Sequence, residues 1–204
     1  MLKILGRKTS SNVQKVLWCC AEIGLAFERS DIGGPFGGNK TPEYLALNPN
    51  GLVPTIDDDG FVLWESNAIV RYLSAKHASG SLWPTDLRRR ADADRWMDWQ
   101  QTTLGPPMGV LFRALLRSPP DAVDPAELES AKRRAAAGFS VLDAQLGRSR
   151  YVAGEALTMG DIALGFAPHR WHILPIERPS LPHVERWYRE LRERPGYREH
   201  VVSA

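Results

Sequence analysis

Cysteine is scarce in this chain, and the two that occur are neighbours, Cys19 and Cys20. Adjacent thiols imply no disulfide framework and cannot build a zinc site alone. No apolar run approaches the ~20 residues of a membrane span. The N-terminal MLKILGRKTSS has no apolar stretch of signal-peptide length. An excess of one charge is missing too: 26 Lys and Arg against 24 Asp and Glu leave a net charge of +2. That balance argues against nucleic acid and against an anionic membrane as partners. Arg88, Arg89 and Arg90 do form a run, but Asp92 and Asp94 follow, and the stretch reads as the solvated start of a helix. There is no internal repeat and no low-complexity tract. What is expected is a cytoplasmic globular protein without a metal, with 204 residues for one large domain or two small ones.

The most informative stretch runs from Asn48 to Leu73, NPNGLVPTIDDDGFVLWESNAIVRYL. An Asn-Pro-Asn-Gly turn leads into a short strand that carries Pro54. Proline in a strand is confined to an edge, a bulge or a turn with a cis bond, because it cannot donate to the ladder. Placed here, it leaves the Val53 backbone available to an extended ligand. The pair Glu65-Ser66 then opens a helix whose first N–H groups are free for an anion. Together these features suit a peptide-like ligand that bears a carboxylate.

Hydrophobic periodicity organises the rest. Residues 2–6 read as a strand, and from Asn12 the residues Val13, Val16, Leu17, Cys20 and Ile23 fall near one helical face. Residues 26–32 alternate as a strand, 33–41 form a glycine-rich loop, and 42–47 a short helix. Strands at 53–57 and 60–63 flank an Asp59-Gly60 hairpin turn. A helix follows from Glu65 to about His77. The order β-α-β-α-β-β-α fits a mixed four-stranded sheet. After a Gly-, Pro- and Ser-bearing boundary at 79–86 the chain reads as helices only. Asp124-Pro125-Ala126-Glu127 is a capping signal, with Leu128, Ala131, Ala135, Phe139, Leu142 and Leu146 on one face behind it. Thr158 and Asp161 form a second capping box. Pro106-Pro107 is expected to break or kink the long helix that begins near Leu87.

These motifs in this order resemble the cytosolic glutathione transferase superfamily, and the resemblance covers essentially the whole chain. It is carried by SSNVQKVLW at 10–18, NPNGLVPTI at 48–56, WESNAIVRYL at 64–73 and TMGDIAL at 158–164. The text is most similar to bacterial theta- and nu-like members. The implied fold is α+β: a thioredoxin-like βαβαββα domain at 1–79 that binds glutathione, a linker at 80–87, and an all-helical domain at 88–204. The implied activity is attack of a glutathione thiolate on a small electrophile, of detoxification type. No cofactor is expected to be tightly bound; glutathione is a co-substrate, and the expected assembly is a homodimer.

The chemical task is thiol ionisation. An unperturbed thiol near pKa ~8.5 is only about 3% thiolate at pH 7, and lowering it by roughly two units raises the nucleophile of order 25-fold. One hydroxyl donor and a helix N-terminus suit that task. The resemblance points to Ser10 as the thiolate donor, with Ser11 and Asn12 as alternatives. The competing reading is that one of the three merely caps the helix. The loop holds no tyrosine and no cysteine, so the tyrosine-type branch does not apply. Cys19 and Cys20 lie two turns into the helix, away from a Cys-x-x-Cys position, and read as small buried side chains.

The resemblance further implies that Leu52 and Val53 pair with the glutathione backbone, that Pro54 is cis, and that Glu65 and Ser66 hold the γ-glutamyl ammonium and carboxylate. A helix-start acid that only complements the dipole is the plain alternative for Glu65. Lys40, with Asn39 beside it, is assigned to the glycyl carboxylate, or else is a solvated loop lysine. Trp99, Thr103, Pro107, Phe112 and Trp171 are candidates for the electrophile site, against a plain core role for each. Arg113 is taken as exposed surface, against a contact to an anionic substrate or to the partner subunit's glutathione. His169 and His172 lack an acid or cysteine in register and are not read as a metal pair. Asp161 is assigned to folding rather than chemistry. Two other activities fit the same scaffold: glutathione-dependent reduction of disulfides or peroxides, and a non-catalytic glutathione-binding module.

Overall fold

A computed structural model describes residues 1–119 and 122–203. The chain divides into two compact units, Met1–Thr85 with Glu193–Ala204, and Asp86–Arg192.

In the first unit the strands are β1 (Leu2–Leu5), β2 (Phe27–Ser30), β3 (Thr55–Asp58) and β4 (Phe61–Trp64), and the helices α1 (Ser11–Glu22), α2 (Pro42–Leu47) and α3 (Ser66–His77). The sheet order is β2-β1-β3-β4. β1 runs parallel to β2 and antiparallel to β3, and β3 is antiparallel to β4. This is the mixed four-stranded sheet that the element order predicts. Ile4 and Ile56 are register partners, fully buried, and the core continues through Val13, Val16, Leu17, Ile69, Val70 and Leu73. The β3–β4 turn is built as expected: Asp58 pairs with Phe61, and Asp59 and Gly60 between them both take positive φ, 52° and 93°. That is the backbone a two-residue hairpin turn needs.

Two expectations change. Pro54 lies just before β3 rather than inside it, so no ladder bond is lost to the missing N–H. The segment from Glu193 onward clusters with the first unit, not with the helices that precede it. The cause is a clamp on the C-terminal half of α1. Arg194 Nε donates to Glu22 Oε1 at 2.8 Å, and Trp18 Nε1 donates to the same oxygen at 2.8 Å. Tyr197 packs edge-on against Trp18 with ring centroids 4.9 Å apart. With this cover, α1 is buried continuously from Val13 to Cys20, more than a one-sided amphipathic stripe requires.

The second unit is helical: α4 (Leu87–Trp99), α5 (Gly105–Leu116), α6 (Pro125–Leu146), α7 (Met159–Leu164), α8 (Phe166–Ile173) and α9 (Pro182–Arg192). Among its described residues no strand occurs, only an isolated bridge between Tyr151 and Gly154. Pro106-Pro107 do not break the α4–α5 helix. A widened π turn, Gln100–Leu104, joins the two halves, and Gly105 N–H reaches the Gln100 carbonyl. In a regular helix Pro106 and Pro107 would fail to donate to the carbonyls of Thr102 and Thr103 and would press their rings against them; a wider turn just ahead relieves this. The α6 face is as predicted, with Ala131, Ala135, Phe139, Leu142 and Leu146 buried and Leu128 half-buried.

Candidate glutathione site

The N-terminus of α1 is formed by Ser10, which takes an extended conformation (φ −85°, ψ 123°) and whose side chain makes no capping hydrogen bond. Only its carbonyl enters the helix, accepting from Gln14 N–H at 2.8 Å. The first-turn N–H groups therefore carry the helix's partial positive charge without a side-chain acceptor at the cap. Ser10 and Ser11 are half-buried and Asn12 is exposed.

The N-terminus of α3 is similar. Glu65 occupies its cap position at φ 72°, and its side chain makes no capping bond. A non-glycine residue in that region costs of order 1–3 kcal/mol and is concentrated at functional sites. Ser66, buried, donates from Oγ to Asn12 Oδ1 at 3.3 Å. This bond brings the starts of α1 and α3 together. Lys15, also buried, donates to Ser66 Oγ at 3.4 Å and to Asn67 Oδ1 at 3.2 Å.

The third wall is the turn before β3. The Val53–Pro54 peptide bond is cis. Among the described residues no hydrogen bond engages the Val53 backbone N–H or C=O. The preceding carbonyl, of Leu52, is held firmly: it accepts from Tyr44 Oη at 2.6 Å and from Asn48 Nδ2 at 2.9 Å. Thr55 Oγ1 joins both, 2.9 Å from Tyr44 Oη and 3.1 Å from Asn48 Nδ2. The Leu52 side chain is exposed at 62%. Val53 approaches the loop after β1 so closely that a Cβ on Gly6 would lie 3.2 Å from the Val53 Cβ and 2.5 Å from Val13 Cγ2. Only glycine fits there.

The glycine-rich loop closes the arrangement. Asn39 Nδ2 donates to the Gly51 carbonyl at 2.8 Å, and Lys40 Nζ to the Asn50 carbonyl at 3.3 Å. Lys40 is exposed, with its ammonium beside the turn that leads to Val53. Ser10, Ser11, Asn12, Lys40, Leu52, Val53, Pro54, Glu65 and Ser66 thus all belong to the first unit. Direct contacts join α1 to α3 and the 39–40 loop to the 50–51 turn.

Among the described residues, no side-chain hydrogen bond or ring contact joins the five residues considered for an electrophile site to one another. Trp99 is half-buried and lines a cavity of about 510 Å³ with Arg95, Trp96, Val141, Ala144, Gln145 and Arg148. Trp171 is buried, its ring 4.6 Å from that of Phe139. Two guanidiniums lie against Phe112, Arg170 at 3.9 Å and Arg117 at 4.8 Å from the ring centroid. Pro107 is buried, Thr103 exposed, and Arg113 exposed.

The remaining candidates resolve simply. Cys19 and Cys20 are fully buried, and burial pushes the Cys19 thiol up to about 12 and the Cys20 thiol up as well. Neither is ionised at neutral pH, so neither is a nucleophile. Asp161 is fully buried and accepts from Val152 N–H at 3.0 Å, Thr158 N–H at 2.9 Å and Thr158 Oγ1 at 3.2 Å. It is the acid of the predicted capping box. His169 Nδ1 is 2.9 Å from Tyr188 Oη, and burial lowers its pKa. Among the described residues no three His, Cys, Asp or Glu could hold a metal ion, and no helix is long and apolar enough to cross a membrane.

Sequence reasoning missed Lys15, Asn67 and the Tyr44–Asn48–Thr55 cluster. A signal for Lys15 was present: it interrupts Val13, Val16 and Leu17 in a helix with little polar face.

The chain is similar to known proteins over nearly its whole length. A family model for the glutathione S-transferase N-terminal domain matches residues 9–76, and one for the C-terminal domain matches 125–190. The chain belongs to the glutathione S-transferase family. Glutathione S-transferase GstB of Escherichia coli strain K12 is 38% identical over 204 residues, spanning 99% of this chain and 98% of that protein. Glutathione S-transferase 3 of Zea mays is 33% identical, spanning 99% and 94%. Among solved structures, a theta-class glutathione S-transferase from the citrus canker pathogen Xanthomonas axonopodis pv. citri, with glutathione bound, superposes with a TM-score of 0.96. It is 46% identical and covers 100% of this chain and 98% of that one.

Proposed function

We propose that this transferase ionises bound glutathione at the α1 N-terminus and conjugates it to small electrophiles. The observation that carries the reading is the meeting of two helix N-termini, neither capped by its own side chain, through the Asn12–Ser66 bond. The Ser10 hydroxyl donates to the thiolate, with Ser11 and Asn12 as neighbouring donors. The open Val53 backbone pairs with the cysteinyl residue of glutathione, and cis Pro54 follows it. Glu65 takes the γ-glutamyl ammonium, and Ser66 with the first N–H groups of α3 takes its carboxylate. Lys40 takes the glycyl carboxylate. In the chemical step the thiolate sulfur forms a bond to carbon, and the leaving group departs with its electron pair. The thiol proton passes to solvent.

Trp99, Thr103, Pro107, Phe112 and Trp171 stand as candidate contacts for the electrophile. The two guanidiniums on Phe112 favour an electrophile that carries negative charge. Exposed Phe61 and Trp64 on the edge strand β4 support a homodimer, which solution mass would test. Cytoplasmic location and a detoxifying role belong to the same proposal.

Turnover separates the alternatives. Halo-aromatics and halo-acids should release halide with glutathione, and a glutathione mixed disulfide should turn over slowly. Fast reduction of the disulfide without conjugation would reassign the enzyme to the reductase reading. Binding of glutathione without either reaction would leave a binding module.

A further inference from the structure

A buried lysine is exceptional, because an ammonium loses its hydration unless hydrogen bonds replace it. Lys15 is 3% exposed and holds its Nζ between Ser66 and Asn67 at the start of α3. Nothing in the reading above gives it a task.

Its chemistry fixes the first step of a chain of hydrogen bonds, and the structure gives the next. An ammonium has three donors and no acceptor. At the Lys15–Ser66 contact, Ser66 Oγ must therefore accept. The single hydroxyl proton of Ser66 goes to its other neighbour, Asn12, whose Oδ1 accepts it at 3.3 Å. With Oδ1 committed to Ser66, the Asn12 NH₂ faces away from α3. It stands as a donor at the start of α1, next to Ser10 and Ser11.

We propose that Lys15 is a positioning residue that, through Ser66, orients the Asn12 carboxamide as a donor to the bound glutathione thiolate and adds positive charge behind the γ-glutamyl carboxylate. This rests on the glutathione reading above. It couples the two ends of the ligand: the same ammonium that faces the carboxylate anchor also sets the polarity at the sulfur. Lysine suits the task because it cannot be an acceptor. A neutral residue that both donates and accepts would let the chain reverse and turn the Asn12 oxygen toward the sulfur, where it would oppose ionisation.

The test compares wild type with Lys15→Met, which keeps the length and apolar stem without the charge. Thiolate absorbance of glutathione bound at saturation is titrated with pH, and KM for glutathione and melting temperature are measured on the same samples. The expected result is a bound-thiol pKa about one unit higher, so roughly ten-fold less thiolate at low pH, and a KM about ten-fold higher. Lys15→Arg, also a cation without an acceptor, is expected to recover most of both. The effect of Lys15→Met on the thiol should vanish in an Asn12→Ala background, because the route to the sulfur is already cut.

A purely structural lysine would lower the melting temperature and leave the thiol titration of the folded protein where wild type has it; that result overturns the proposal. Should Lys15→Met not fold, Ser66→Ala cuts the chain at its middle, and an unchanged thiol titration there overturns it equally. Wild type with no bound thiolate at all would remove the glutathione reading and this inference with it. Wild-type thiolate with an unchanged Lys15→Met removes this inference alone.

Discussion

At the start of α4, Asp86 accepts from Arg89 N–H at 2.9 Å, and at the start of α6 Asp124 accepts from Ala126 N–H at 2.9 Å. α7 begins in a box where buried Asp161 takes three donors. In the first unit, Ser10 and Glu65 hold the same positions on α1 and α3, and neither side chain caps. Serine is among the best capping residues, worth about 1 kcal/mol in that role. Glu65 goes further and accepts a left-handed backbone. The second unit uses the starts of α4, α6 and α7 for stability, whereas the first, which caps α2 through Thr41, gives up that stability at two helices whose starts touch. Broken local rules of this kind are concentrated at functional sites.

The sharpest way to break this comparison is Asp161→Ala. It orphans two backbone N–H groups and a hydroxyl in a dry site, so unfolding free energy should fall by about 3 kcal/mol or more. Thiolate formation per folded molecule should stay the same. Denaturant melts and thiolate absorbance check the two halves. A stable variant with dead chemistry would reverse the assignment.

Protonation of the same residue gives an effect of similar size. Burial pushes Asp161 up to about 6, against about 3.9 in the unfolded chain. Between those values the folded state keeps a proton that the unfolded state has lost. Stability from this group is therefore fully present below about pH 4 and is lost as pH rises through about 6, by about 3 kcal/mol. Denaturant melts of wild type and Asp161→Asn should show a difference that moves against wild type from pH 4 to 7. A shift in favour of wild type over that window would contradict the sign.

Glu65→Gly sharpens the other side. Glycine takes positive φ without cost, so stability should rise by about 1 kcal/mol in thermal melts. KM for glutathione should rise as the carboxylate is lost. A stability loss would mean that Glu65 has an ordinary structural role. Asp124→Ala gives a similar stability change of the opposite sign and nothing else: a loss of about 1 kcal/mol in melts with unchanged kinetics.

Much of this was legible because local rules dominated. Asp59-Gly60 specifies its hairpin from two residues, and the capping signals at Asp124 and Thr158 are complete within four. The α+β class follows from element order. What stayed hidden depended on distant partners. Arg194 and Tyr197 read as the tail of a helical domain, because nothing nearby announces Glu22 and Trp18, more than 170 residues earlier. The π turn was half visible: Pro106-Pro107 announced a disruption, but not that the helix would widen and continue. Lys15 interrupts an apolar stretch, but nothing near it in sequence announces that Ser66 and Asn67 close over it. The start of α1 was located correctly, yet sequence could not separate a cap from a thiolate donor, since a serine is suited to both.

Ultraviolet titration of bound glutathione, in wild type and Ser10→Ala, tests the central claim most directly, with melts of both proteins alongside. The account predicts a wild-type thiol pKa well below the free value of ~8.5. In Ser10→Ala that shift should be largely lost, with stability changed by less than about 0.5 kcal/mol. A variant that loses about 1 kcal/mol and ionises glutathione as wild type does would make Ser10 an ordinary helix cap, and the contrast between the two units would fall.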